Sequence, residues 1–191
     1  MRDKKDAVRV IAAAAKEYKA KLCGKQFLIF CDGGEHKEVA FMARNFAHFT
    51  GLICHCSATR FYNAALSGRL SERDFDFDAA GNAQRKLSVI DKLPDLFNAP
   101  VLYGLFLNSG LYISADYFVG KSLLSVGFRT GKSFDVPVSL YREDIRKLTY
   151  QPKRVIAVYE KPIGAAEYTK LTYSRVDNPE SLLERYCNDS M

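Results

Sequence analysis

A chain of 191 residues with 48% hydrophobic content has the length of one ordinary domain and enough apolar side chains for a sizeable core, which excludes a disordered polymer. The formal net charge of +6, from 28 Lys and Arg against 22 Asp and Glu, favours polyanionic partners without naming one, and no block of like charge forms a basic arm. Nothing approaches the ~20 apolar residues of a membrane-spanning helix, and five cysteines without regular spacing fit a reducing compartment. The expectation is a cytoplasmic protein with no membrane association.

Helical spacing of Ala7, Val10, Ile11, Ala14 and Tyr18 predicts an amphipathic helix over about 3–21, with Gly24 just past its end. The alanine run 12–15 is too short and too weakly apolar for a signal-peptide core. The period then changes. Residues 26–31 form a short apolar run, Asp32-Gly33-Gly34 supplies turn chemistry, and 37–41 returns, which predicts a hairpin.

Ser57 is placed to cap a helix over residues 58–66 that Gly68 stops. Ser71 with Asp74 predicts one further helical turn, and Leu87, Ile90, Leu93 and Phe97 predict a helix over 84–97 that Pro94 shortens. The second half reads as β, with strands over 101–107, 111–114, 122–128, 133–136, 154–160 and 168–174. A short helix over 140–148 capped by Ser139, and a last one over 179–187 opened by Pro179, interrupt and close this region. Helices gathered mostly in the first half and short strands joined by turns predict a single α+β domain with its core over 26–175.

Three strings invite chemistry. The segment from Val126 to Ser133 ends in Gly-Lys-Ser, but Gly127 and Gly131 enclose three residues where a phosphate loop needs four, and no helix follows; a turn presenting Arg129 and Lys132 is expected. Cys54-His55-Cys56 lacks the second ligand pair of a zinc site, so free thiols and no metal are expected. His48 lies between Phe46 and Phe49, with Thr50 and Gly51 following, and its imidazole suits proton transfer near neutrality. Arg60, Arg69, Lys86, Lys121, Arg129, Lys132, Arg142 and Arg146 are the cations available to a phosphate, and Phe61, Tyr62 and Tyr141 the aromatics available to stack a base. Lys121 and Arg129 flank one predicted strand and are expected near one rim of the sheet, while Arg142 and Arg146, four apart, are expected on one helix face. No Gly-x-Ser-x-Gly, Gly-x-Gly-x-x-Gly or His-Glu-x-x-His occurs, which disfavours the common hydrolase, dinucleotide and metalloprotease classes.

An ordered set of segments resembles a known family: Arg44 to Gly51, Ser57 to Tyr62, Leu66 to Ser71, Lys86 to Val89, Val119 to Phe128, and Val136 to Leu140 leading to Glu143-Asp144-Ile145-Arg146. Together they are similar to the fourth phage-associated family of barnase–EndoU–colicin–RelE-like nuclease domains. The resemblance implies a curved antiparallel sheet, metal-independent endoribonuclease activity without a cofactor, and carriage on phages or mobile elements in a bacterial host cell. Relatives on this fold use varied catalytic sets, so roles are assigned residue by residue. His48 is expected as general base or acid, Thr50 as the group that orients it or the phosphate, Lys121 and Arg129 as charge neutralisers and Arg146 as a substrate-positioning residue; Lys121 stands where the family would place a small polar residue. RNA is the expected partner, with a host, phage or antitoxin protein as a second. The rival is a nuclease-like fold that binds protein or RNA without cleaving, and a third reading is a nucleotide-cofactor transferase.

Overall fold

The computed structural model describes residues 3–107 and 114–189. Helix α1 (Lys4–Lys21) begins where the Asp3 carboxylate accepts from the Asp6 amide at 2.7 Å, and its buried face is Ala7, Ile11, Ala14, Ala15 and Tyr18. Strands β1 (Lys25–Cys31) and β2 (His36–Phe41) pair through a turn whose Gly33 and Gly34 both take left-handed φ, 86° and 84°. A 3₁₀ turn, Ala43–Asn45, leads into α2 (Phe46–Thr50), followed by β3 (Ile53–Cys54), α3 (Ala58–Leu66), β4 (Phe75–Asp76) and α4 (Asn82–Leu87).

The predicted helix over 84–97 is two pieces. After α4 the chain restarts at Val89 as the 3₁₀ segment Ile90–Asp95, because Pro94 cannot supply an amide to a longer α-helix. Its apolar positions were nonetheless correctly read: Leu87, Ile90, Leu93 and Phe97 are all buried. The Ser71–Asp74 pair forms, with the Ser71 amide and hydroxyl donating to Asp74 at 2.7 and 2.8 Å, but it closes a turn into β4 and no helix.

The second half supplies β5 (Leu102–Phe106), β6 (Tyr117–Gly120), β7 (Ser125–Arg129), β8 (Val136–Tyr141), α5 (Ile145–Leu148), β9 (Thr149–Pro162), β10 (Lys170–Ser174) and α6 (Glu180–Asp189). The expected strand over 111–114 lies outside the described residues apart from Ser114. The expected helix over 140–148 begins later, since Ser139 belongs to β8 and Asp144, whose carboxylate accepts from the Arg146 amide at 2.9 Å, caps α5. Strand β6 escaped the reading: four buried residues show no alternation, and they end at Gly120, where a Cβ would lie 2.4 Å from the Leu124 carbonyl.

The sheet runs β2-β1-β9-β5-β6-β7-β8, antiparallel throughout, with β10 on the remaining edge of β9. It curls because β9 bends where it passes from β5 to β1. Gln151 takes φ 40° beside Pro152, opposite a register shift at Gly104, which has no room for a side chain because its Cβ would stand 2.5 Å from that of Thr149. The curl brings the two ends of the sheet together: the Asp135 amide donates to the Glu38 carbonyl at 2.7 Å, and the Ala40 amide to the Asp135 carbonyl at 2.9 Å. The result is a mixed α+β fold, an N-terminal helix followed by a strongly curled antiparallel half-barrel.

Both faces of the sheet are covered, which explains why β1 reads as a continuous apolar run. Phe27 and Ile29 face the main core, while Leu28 and Phe30 pack with Tyr159 and Tyr168 beneath Leu182, Leu183 and Tyr186 of α6. In the main core Tyr18 of α1 meets Phe41, Phe46, Phe49 and Tyr62 with ring centroids 5.2–6.2 Å apart. Phe61 and Tyr62, proposed from sequence as base-stacking groups, are therefore core residues, 0% and 2% exposed. Among the described residues no helix is long and apolar enough to cross a membrane.

Candidate functional site

Helix α2 is fixed to the sheet at its start. The side chain of Asn45 accepts from the Met42 amide at 2.8 Å and donates to the Pro137 carbonyl of β8 at 3.2 Å, while Phe46 and Phe49 are buried below. The helix ends at Gly51, φ 70°, leaving its last carbonyls without intrahelical partners. Helix α4 answers from across a gap: the Lys86 ammonium donates to the His48 carbonyl at 3.0 Å and to the Ser139 hydroxyl of β8 at 2.8 Å. A Cβ on Gly51 would come within 2.9 Å of the Lys86 side chain, so this approach requires glycine.

The space between α4, β8 and the chain after β8 is a cleft of about 560 Å³, walled by Arg85, Lys86, Ser139, Tyr141, Arg142 and Glu143. Its charge is unbalanced. Among the described residues Lys86 makes no ion pair, and burial pushes its pKa below the ordinary value, opposed by the more distant Asp78. The Asp78 carboxylate is occupied by the Asn82 and Ala83 amides at 3.1 and 2.9 Å, and Glu143 by Lys147 at 3.1 Å. Arg142 is exposed and has no hydrogen-bond or ion-pair partner in the described structure.

Capping α2 accounts for one of the three ammonium hydrogens of Lys86 and Ser139 for a second. One N–H and a whole positive charge remain. A desolvated cation without a carboxylate is costly unless an anion visits it. The rim adds the Tyr141 ring, whose centroid lies 5.9 Å from the ammonium.

His48 is exposed, and its pKa is lowered first by partial desolvation of the ring and then by the Lys86 charge. At neutral pH the imidazole is therefore uncharged and able to accept a proton. The other two histidines are engaged elsewhere. His36 packs edge-on against Tyr186 at 5.2 Å, and both ring nitrogens of His55 are held, at 2.8 Å each, by the Arg73 carbonyl and the Asp76 carboxylate.

The cleft meets the end of α2 at Gly51 and is not lined by His48, whose contact with Lys86 is through its carbonyl; the remaining sequence-predicted site residues do not gather here either. Thr50 is 0% exposed, and its hydroxyl donates to the Ala47 carbonyl at 2.7 Å and accepts from the Leu52 amide at 3.3 Å, so it fastens the end of α2 and faces no solvent. Lys121 follows β6 in the turn that opens β7, whereas Arg129 closes β7 at its other end and donates to the Ser114 carbonyl and hydroxyl. A strand of this length separates its ends by more than ~13 Å. The expectation that Lys121 and Arg129 share a rim is thus corrected. Arg129 is the last residue of β7 and leads into the β7–β8 turn, where Gly131 is required because a Cβ would collide with the Phe134 carbonyl at 2.1 Å.

Arg142 and Arg146 do not share a helix face either, since α5 starts only at Ile145. Arg142 opens onto the Lys86 cleft, and Arg146 onto a smaller cavity of about 240 Å³ that Lys121 also lines. Arg85 and Asn82 of α4, and Asp78 ahead of it, escape a sequence reading because this stretch carries no motif; Lys86 and Arg142 are visible there only as two cations among many.

No curated protein and no solved structure matches the chain. Residues 10–177, most of the chain, match the family described as phage-Barnase-EndoU-ColicinE5/D-RelE like nuclease4, and the helix-then-curled-sheet architecture agrees with that class. The protein belongs to this phage-associated family of nuclease-like domains.

Proposed function

We propose that this phage-type domain is an endoribonuclease that works without a metal ion, by general acid–base transesterification of a phosphodiester seated in the Lys86 cleft. The observation that carries the reading is the desolvated Lys86 ammonium, held by two neutral acceptors and facing a cleft whose carboxylates are already taken. Family membership supports a nucleic acid as the polyanion.

RNA is favoured because its 2′-hydroxyl is a built-in nucleophile that a neutral imidazole can activate. In the proposed step His48 takes the 2′-hydroxyl proton, the 2′-oxygen bonds to phosphorus, and the bond from phosphorus to the 5′-oxygen breaks. The leaving oxygen receives a proton from Lys86, whose acidity burial increases, and a 2′,3′-cyclic phosphate results. Lys86 and Arg142 neutralise the charge that gathers on the phosphoryl oxygens, and Tyr141 offers a face to a neighbouring base.

The second reading is a nuclease-like fold that binds RNA or a host, phage or antitoxin protein without cleavage. What favours it is that Thr50 is sealed in the core and that Lys121, Arg129 and Arg146 do not line the Lys86 cleft. Prolonged incubation with mixed RNA, with and without a chelator, separates the two. Cleavage that persists in chelator and is lost in His48→Ala supports the ribonuclease; intact RNA at every enzyme concentration rejects it.

A further inference from the structure

A second cationic concavity lies beside the Lys86 cleft, and α5 is the wall between them: Leu148 lines the cleft, and Ile145 lines the other side. This second cavity, about 240 Å³, is lined by Lys121, Arg146 and Arg175 with Asp144 as its single carboxylate. Three cations and one acid line it, and Lys121 also borders a neighbouring concavity lined by Asp91 and Asp95.

The backbone holds these groups in place. The Ile145 amide donates to the Lys121 carbonyl at 3.2 Å, the Lys121 amide to the Leu124 carbonyl at 2.7 Å, and the Arg175 amide to the Ile156 carbonyl at 2.8 Å. Asp144 is consumed by Arg146, which grips it through three contacts of 2.7–3.2 Å. Lys121 and Arg175 make no ion pair among the described residues; the Lys121 ammonium donates to the Asp95 carbonyl at 3.4 Å and feels the Asp95 carboxylate at longer range. Partial burial lowers the pKa of Lys121, the mark of an ammonium set where its charge is poorly solvated.

We propose that Lys121, Arg146 and Arg175 form a second phosphate subsite, so that the substrate is a single strand of several nucleotides running from the Lys86 cleft across α5. The inference rests on reading that cleft as the site of the scissile phosphate. The run from Ser139 to Arg146 supports one continuous track, because its first half lines the cleft and its second half the second cavity. A cleft of about 560 Å³ has the dimensions of a small-ligand pocket and admits one or two nucleotides, not a duplex.

The test uses deoxyribo-oligonucleotides, which lack the attacking hydroxyl: a decamer followed by fluorescence anisotropy and a dinucleotide followed by NMR. Lys121→Gln with Arg175→Gln is expected to weaken decamer binding by ~10-fold or more and to lower the slope of log affinity against log salt by about 1.4, or about 0.7 per charge removed from a single-strand contact. The exposed Arg175→Gln alone should show half of that slope change even if the double variant folds poorly. Dinucleotide binding should stay at the wild-type level in both. A decamer slope that remains wild-type in both variants overturns the second subsite and leaves the cleft standing. Dinucleotide binding that is unchanged in Lys86→Met overturns the cleft reading itself, and the second subsite with it.

Discussion

The Lys86 ammonium lies 3.0 Å from the His48 carbonyl, and no carboxylate pairs with it among the described residues. One contact therefore joins two things: the closing of a short helix and the placing of a positive charge whose field lowers the proton affinity of the His48 ring. Both consequences can be measured.

Lys86→Met keeps the length of the side chain and removes the charge. Losing the hydrogen bonds to His48 and Ser139 costs about 1–2 kcal/mol, and relief from burying an ammonium offsets part of it. Thermal melting should change little, while RNA cleavage should fall ~10²-fold or more, as removal of a transition-state charge donor does. A large loss of stability with a matching loss of activity would make Lys86 merely a helix cap.

The charge also lowers the proton affinity of His48, second to partial desolvation. Folding lowers that affinity below the ordinary value of 6.5, so the rate of cleavage should rise with pH and level off below that value, where the imidazole is already neutral. In Lys86→Met the His48 titration followed by NMR should move upward towards 6.5, because its second cause of depression is gone. Partial desolvation, the first cause, remains. An unmoved titration would place the ring beyond the reach of the ammonium.

Thr50 gives the opposite pattern. Thr50→Val retains the shape of a fully buried residue and deletes the hydroxyl that ties Ala47 to Leu52. A destabilisation of about 1–2 kcal/mol in urea unfolding is expected. The cleavage rate per folded molecule should be unchanged, whereas a specific loss of rate would restore Thr50 to the chemistry.

His55 predicts a pH-dependent contact away from the cleft. A carbonyl and a carboxylate both only accept, so the ring must donate from both nitrogens and is favoured as the cation. Its folded pKa is accordingly raised, first by the Arg73 carbonyl and then by Asp76. Stability from this contact is fully present below the unfolded value of about 6.5 and is lost as pH rises through the higher folded value. Urea midpoints measured across that window should decline in the wild type and stay flatter in His55→Ala; equal declines would remove His55 as the cause.

Periodicity and turn chemistry made much of this fold readable. The spacing of Ala7, Ile11, Ala14 and Tyr18 announced α1, the Gly33-Gly34 pair announced the first hairpin, and Ser57 with Gly68 bounded α3. Strand β6 and the start of α5 were hidden for a physical reason: β6 is buried on every residue and so lacks alternation, and α5 is four residues long. The candidate site was less legible still. Lys86 becomes distinctive only through contacts with residues 38 and 53 positions away, and nothing in the local sequence marks a lysine that folding will desolvate. Thr50 stands next to a histidine segment in sequence, and only the fold shows that its hydroxyl is spent on the end of α2.

The most direct measurement is an NMR titration with a short deoxyribo-oligonucleotide that the protein binds and cannot cleave. Amide shifts should concentrate at residues 82–86 and 139–143, with the His48 ring responding and the turn after Arg129 silent. Shifts centred on Arg129, or none anywhere at saturating ligand, would contradict a phosphodiester seated against Lys86.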